Sequence, residues 1–222
     1  MLPLHQEFRV FLAAEGFMFS GVVAAVGVVE EVSPSGDNDV AVRLGVDNAG
    51  LLARVDIGSS VACAGVCLTV VDKGKSNTFT VNASKETLGV TNLKHWSVGT
   101  KVNLEPSLKM GDPIDGHMVQ GHVDGVGKIE SVVRIAGSHT LMVSCDEVLS
   151  KYISRKGSVT LDGVSLTVNS SSSGLFMVNV IPYTWSHTTF QYLEADSEVN
   201  IETDLIARYL ESLLKDTKAK DD

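Results

Sequence analysis

Several side chains in this sequence are of types and spacings that could do chemistry. Cys67 lies in the β-branched run Gly65-Val66-Cys67-Leu68-Thr69-Val70. There a thiolate would serve as a nucleophile, and a buried thiol would serve only as a small hydrophobe. His117 and His122 stand five positions apart in Gly116-His117-Met118-Val119-Gln120-Gly121-His122. In a strand an odd separation sends two side chains to opposite faces, so this pair is not expected to share a metal. One ring would hydrogen-bond within the framework and the other would face a pocket. Lys85-Glu86-Thr87 and Tyr183-Thr184 each follow an Asn-containing strand, where Thr hydroxyls either cap the strand end or meet a ligand. Lys156-Gly157-Ser158 leads toward Ser165, with a lysine that is either solvated or aimed at a ligand.

Other chemistries are excluded. No Gly-rich phosphate loop opens a helix after a strand, and no Gly-x-Ser-x-Gly elbow occurs. Cys63, Cys67 and Cys145 have neither the even count of a disulfide framework nor the spacing of a zinc site. They fit a reducing cytoplasm. The formal net charge of −9, without a basic block, argues against nucleic-acid binding. No run of 18 apolar residues suggests a spanning helix. Residues 1–17 resemble neither a secretory signal nor a transit peptide and are expected to be an extension.

An internal repeat organises these residues. Gly65-Val66-Cys67-Leu68-Thr69-Val70 recurs as Gly163-Val164-Ser165-Leu166-Thr167-Val168, an offset of 98. Phe79-Thr80-Val81-Asn82 returns as Phe176-Met177-Val178-Asn179, and Val102-Asn103-Leu104-Glu105 as Val199-Asn200-Ile201-Glu202, both at 97. Met18, Gly21, Val23, Val26 and Gly27 match Met118, Gly121, Val123, Val126 and Gly127 at 100. A period this long denotes two domains rather than a solenoid. The expected units are an extension over 1–17, repeats over 18–114 and 115–204, and a tail over 205–222.

Within each repeat, short Val- and Thr-rich runs alternate with Gly, Pro and Asp turns, which predicts an all-β barrel or sandwich. Val22–Val32, Val40–Leu44, Val66–Val71, Thr78–Val81 and Lys101–Glu105 are the first repeat's strands. Helical turns are expected over Asp47–Ala53 and Asp146–Ile153, with Asp47 and Asp146 as N-caps, and over Thr87–Leu93. The tail places Leu205, Ile206, Tyr209, Leu210, Leu213 and Leu214 on one helical stripe, opposite Arg208, Glu211, Ser212 and Lys215. Such a stripe either caps its own barrel or packs against another subunit.

These motifs, in order and in both repeats, resemble the riboflavin synthase family. The likeness runs from Met18-Phe19-Ser20-Gly21 through Gly58–Val70, Lys85–Leu88, Gly116–Val123 and Lys156–Val168 to Val199–Asp204. Ala64 departs from the Asn common in the family, and Asp115 from the Gly common before the histidine. The resemblance implies two tandem six-stranded Greek-key antiparallel β-barrels and a C-terminal α-helix that assembles a homotrimer, with lumazine synthase as a further partner. It implies dismutation of two molecules of 6,7-dimethyl-8-(1-D-ribityl)lumazine to riboflavin and 5-amino-6-(D-ribitylamino)uracil, with no metal and no redox cofactor. By motif position it implies Ser60, Cys67, His122, Lys156 and Asp204 as catalytic. Substrate would meet Gly21, Val22, Val23, Cys67, Leu68, Thr69, Ala83, Ser84, Lys85, Glu86, Thr87 and Leu88. A second set would be Ser165, Leu166, Thr167, Ile181, Pro182, Tyr183, Thr184, Trp185 and Ser186, alongside His122 and Lys156. A fluorescent antenna protein of the same fold, binding lumazine without turnover, is the alternative.

Overall fold

The computed structural model describes residues 18–36, 38–74 and 77–218. The expected extension over 1–17 lies outside these residues. The first barrel holds β1 (Ala25–Ser35), β2 (Asp39–Gly45), β3 (Ser60–Cys63), β4 (Val66–Lys73), β5 (Thr78–Ala83) and β6 (Lys101–Pro106). The second holds β7 (Gly125–Ile135), β8 (Ser138–Ser144), β9 (Ser158–Leu161), β10 (Val164–Ser172), β11 (Leu175–Val180) and β12 (Glu198–Thr203). Each sheet closes antiparallel in one Greek-key order, β1-β2-β5-β4-β3-β6 and its copy β7-β8-β11-β10-β9-β12. Closure removes the free edges that short strands would otherwise expose.

The register explains the closure. In both copies the ladder shifts at matching places, between Val29 and Glu31 and between Ile129 and Ser131. A second shift falls between Val70 and Asp72 and between Val168 and Ser170. Bulges of this kind bend a strand and tighten its twist, which short strands need to curl into a barrel. Alternate residues then turn inward, and Val29, Leu44, Phe79 and Leu104 are fully buried in one core, as are Ile129, Leu141, Phe176 and Ile201 in the other. Burying each such side chain stabilises the fold by about 1.5–3 kcal/mol.

The helical turns differ from expectation at their starts. The first, α1 (Ala49–Leu52), is capped by Asn48, whose Oδ1 accepts from Leu51 N at 2.9 Å, and not by Asp47. Asp146 does cap α3 (Glu147–Ser150). The turn expected over Thr87–Leu93 is two elements, α2 (Lys85–Val90), capped by Ser84, and a 3-10 turn over Asn92–His95. Their copies are α4 (Pro182–His187) and a 3-10 turn over Thr189–Tyr192.

The last helix is α5 (Leu205–Lys218). Its polar side meets its own barrel: Arg208 pairs with Asp124 at 2.5 Å, and Glu211 holds Lys151 at 2.6 Å and the Tyr152 hydroxyl. Ile206, Tyr209, Leu210, Leu213 and Leu214 are exposed on the other side. No helix among the described residues is long and apolar enough to cross a membrane.

Candidate active site

The segments before β1 and β7 do not line their own barrels. Phe19 and Val119 pair antiparallel across the molecule, with N–H···O distances of 2.7 and 3.1 Å. From there each chain runs onto the other repeat. Gly21 O accepts from Ser165 N, and Gly121 O accepts from Cys67 N, both at 2.8 Å. Val23 packs against the second core and Val123 against the first. This crossing is why β1 starts at Ala25 rather than at Val22 as the Val-rich run suggested.

Two glycines permit it. Gly21 and Gly121 have φ of 77° and 76°, and a Cβ on either would stand 2.6 Å from the Cβ of Ser165 or Cys67. Two buried glutamates secure it. Glu105 accepts from Ser20 N, Ser20 Oγ and Gly21 N at 2.7, 2.9 and 3.0 Å. Glu202 accepts from Gln120 N and Gly121 N at 2.8 and 2.9 Å. Burial pushes both carboxyls above the ordinary range, and these donors pull them back.

At the first barrel, Ser60 and Cys67 lie on adjacent paired strands. Burial raises the Cys67 thiol above its usual value, a hydrogen bond with the Ser60 side chain lowers it, and the Glu202 charge raises it. The thiol is therefore neutral near pH 7. His122 follows Gly121, exposed, with its carbonyl accepting from Arg208 at 3.1 Å. Leu68 is buried and Thr69 exposed. Ala83 is buried, and Ser84, Lys85, Glu86, Thr87 and Leu88 begin α2, where Leu88 packs against the first core.

At the second barrel a cavity of about 330 Å³ opens between β10, α4 and the crossing segment. Gly21, Val22, Val23, Ser165, Leu166, Thr167, Tyr183 and Thr184 line it. Gly21–Val23 had been grouped with Cys67 on sequence, but the crossing brings them to Ser165. Ile181 and Pro182 are exposed at the start of α4, Ser186 bonds back to Pro182 O at 3.0 Å, and Trp185 stacks on His139. These four are not on the lining, nor is Lys156, which is exposed on the turn entering β9.

His117 is the residue that sequence reasoning left unassigned. Its Nδ1 lies 2.8 Å from Ser165 Oγ. Burial lowers its basicity and the Asp204 charge raises it. Asp204 also caps α5, with Oδ1 accepting from Ile206 N at 2.9 Å. A carboxylate, a half-buried imidazole and a hydroxyl thus lie together beside the cavity, an arrangement able to take a proton from a bound molecule or water. The two histidines do part, as expected, but not by strand alternation. Gly121, with its positive φ, breaks the strand between them. The signal available in the sequence was Gly116, where a Cβ would stand 2.1 Å from Ser20 O and 2.8 Å from Ser165 Cβ.

Comparison with known proteins follows this geometry. The lumazine binding domain family model matches residues 20–107 and again 120–204. The riboflavin synthase of Photobacterium phosphoreum is 38% identical over 204 residues, 92% of each chain. That of Brucella abortus is 40% identical over 86% of this chain and 96% of its own, and that of Bacillus subtilis 36% identical over 87% and 88%. Among solved structures, LumP complexed with 6,7-dimethyl-8-(1'-D-ribityl)lumazine superposes with a TM-score of 0.75 at 22% identity, covering 84% of this chain and 99% of LumP. That likeness is one of fold. The chain belongs to the riboflavin synthase family of proteins with two lumazine-binding domains.

Proposed function

We propose that the protein is a riboflavin synthase, a transferase that dismutates two 6,7-dimethyl-8-(1-D-ribityl)lumazine molecules into riboflavin and 5-amino-6-(D-ribitylamino)uracil. The observation that carries this reading is the crossing. Each lumazine-binding repeat reaches its neighbour's barrel through a glycine, which supports two homologous sites for two copies of one substrate, differing at Cys67 and Ser165. Membership of the riboflavin synthase family supports the same conclusion.

The chemistry needs a proton removed from the lumazine C7 methyl, a nucleophile added at C7 of the donor, and two rings held in register. The His117–Ser165 pair, with a neutral imidazole, suits proton transfer at the second pocket. At the first, a thiol raised by burial favours water positioned by Ser60 and Cys67 over a preformed thiolate. His122 adds a second imidazole there. Asp204 acts through His117, and Lys156, displaced from the lining, would act on a substrate spanning two subunits. The exposed face of α5 supports a homotrimer in which one subunit's first pocket faces another's second. No metal or redox cofactor enters this scheme, and cytoplasmic residence and association with lumazine synthase belong to the same proposal.

Incubation of the purified protein with the lumazine tests it. Release of riboflavin and the aminouracil, followed by chromatography, is expected. Fluorescent lumazine held unchanged would instead assign the chain to an antenna role.

A further inference from the structure

The two barrels meet along a seam that holds a second cavity, of about 470 Å³, sharing no lining residue with the one beside Ser165. It is lined by residues of the 3-10 turns over Asn92–His95 and Thr189–Tyr192, which follow α2 and α4, and α4 also lines the cavity beside Ser165. Trp96 comes from one repeat and Tyr192 from the other, so the cavity has an aromatic residue from each.

Its polar groups are incompletely paired. Asp162 is buried, and its Oδ1 accepts from Asn200 N at 2.8 Å and from Asn92 Nδ2 at 3.3 Å. Thr189 is 9% exposed, and its Oγ1 is buried without a partner. Glu198 reaches the same cavity, with a carboxylate 3.3 Å from His95 Nε2. A buried hydroxyl without a partner is costly, and few such groups persist in a folded protein without a reason. A carboxylate and a hydroxyl in a cavity that two aromatic residues also line are matched by a flat ring carrying N–H donors. The copy of Asp162 in the first repeat is Ala64, so the cavity can read such donors from one side only.

We propose that the seam cavity is a third small-molecule site, taking a planar heterocycle with N–H donors, of the aminopyrimidine class. Asp162 accepts from the ring donors, Thr189 pairs with an edge atom, and Trp96 and Tyr192 flank the ring. Burial pushes the empty-site Asp162 up to about 7, so a ligand donor would stabilise its charged form. The site's consequence rests on the function proposed above. The aminouracil product is of this class, and the turns lining the cavity continue directly from α2 and α4, so a bound product would act on both pockets.

The test is calorimetric titration of the full chain with 5,6-diaminouracil, alone and after saturation with riboflavin. One further equivalent per chain is expected to bind to the riboflavin-saturated protein. Asp162→Asn and Tyr192→Ala are each expected to weaken it about tenfold or more while the riboflavin titration stays unchanged. Binding that only competes with riboflavin, no binding at all, or equal affinity in both variants would overturn the site. Should Asp162→Asn fail to fold, Tyr192→Ala at an exposed position decides the matter. Failure of riboflavin to bind would instead count against the barrel pockets, and the titration without riboflavin would still report on the seam.

Discussion

The sites at Cys67 and Ser165 share one frame and differ in where their polar side chains come from. Both use a glycine of the opposite repeat, held by a buried glutamate, to complete a β-strand wall. At Ser165 the hydroxyl meets His117 from the crossing segment and, through it, the charge of Asp204. At Cys67 the polar neighbour is Ser60 from the same barrel, and His122 is tied by its carbonyl to Arg208 of α5. Duplication therefore supplied two equal binding frames, and substitution made one suited to bases and the other to a neutral thiol.

The largest effect should come from separating the pockets. Ending the chain at Asp204 removes α5 and its exposed apolar face, and with it the Arg208 tie to the His122 segment. Light scattering should show a monomer, and turnover should fall below detection. An active monomer would mean that both pockets react within one subunit. Next, Cys67→Ser makes the first pocket resemble the second. Turnover should fall about 100-fold while lumazine binding by fluorescence changes little. Unaltered turnover would remove the thiol from the comparison. His117→Gln keeps a hydrogen-bond partner for Ser165 but no base. About a 30-fold fall in kcat with KM nearly unchanged is expected, together with loss of the acid limb of the pH–rate profile. A rise in KM alone, with kcat unchanged, would make His117 a framework residue.

How far the sequence led can be judged at these same residues. The repeat and five of the first repeat's six strands were readable because alternation and turn residues are local signals, whereas the four-residue β3, buried at every position, alternates nowhere. The C-terminal stripe was readable as amphipathic, yet only the ion pairs of Arg208 and Glu211 decide which side meets the barrel. The crossing was not readable, because Gly21 and Gly121 match as equivalents in an alignment of the repeats without revealing which repeat each touches. For the same reason His117 was missed: its partner Ser165 is 48 positions away and is reached only past Gly116. The first cap slipped by one residue, from Asp47 to Asn48, and α2 starts at Lys85, two residues before the expected Thr87.

The smallest effect distinguishes the repeats at the seam itself, where Asp162 faces Ala64. The Asp162 carboxyl is raised to about 7 in the fold by burial, against an unfolded value of about 4. A raised carboxyl makes the folded state bind its proton more tightly than the unfolded state does. Its contribution is therefore full below about pH 4, declines as pH rises, and is spent above about 7. Between pH 6 and pH 8 the loss amounts to about 1 kcal/mol, or a few degrees in melting temperature for a chain of this size. Glu105 and Glu202 shift in the same direction, so the quantity to measure is the difference between the parent and Asp162→Asn, in which the two glutamates are unchanged. The parent should lose more stability than the variant over that interval. Equal slopes would mean that Asp162 stays ionised at the seam, held by Asn92 and Asn200, and that the two halves of the seam are electrostatically alike.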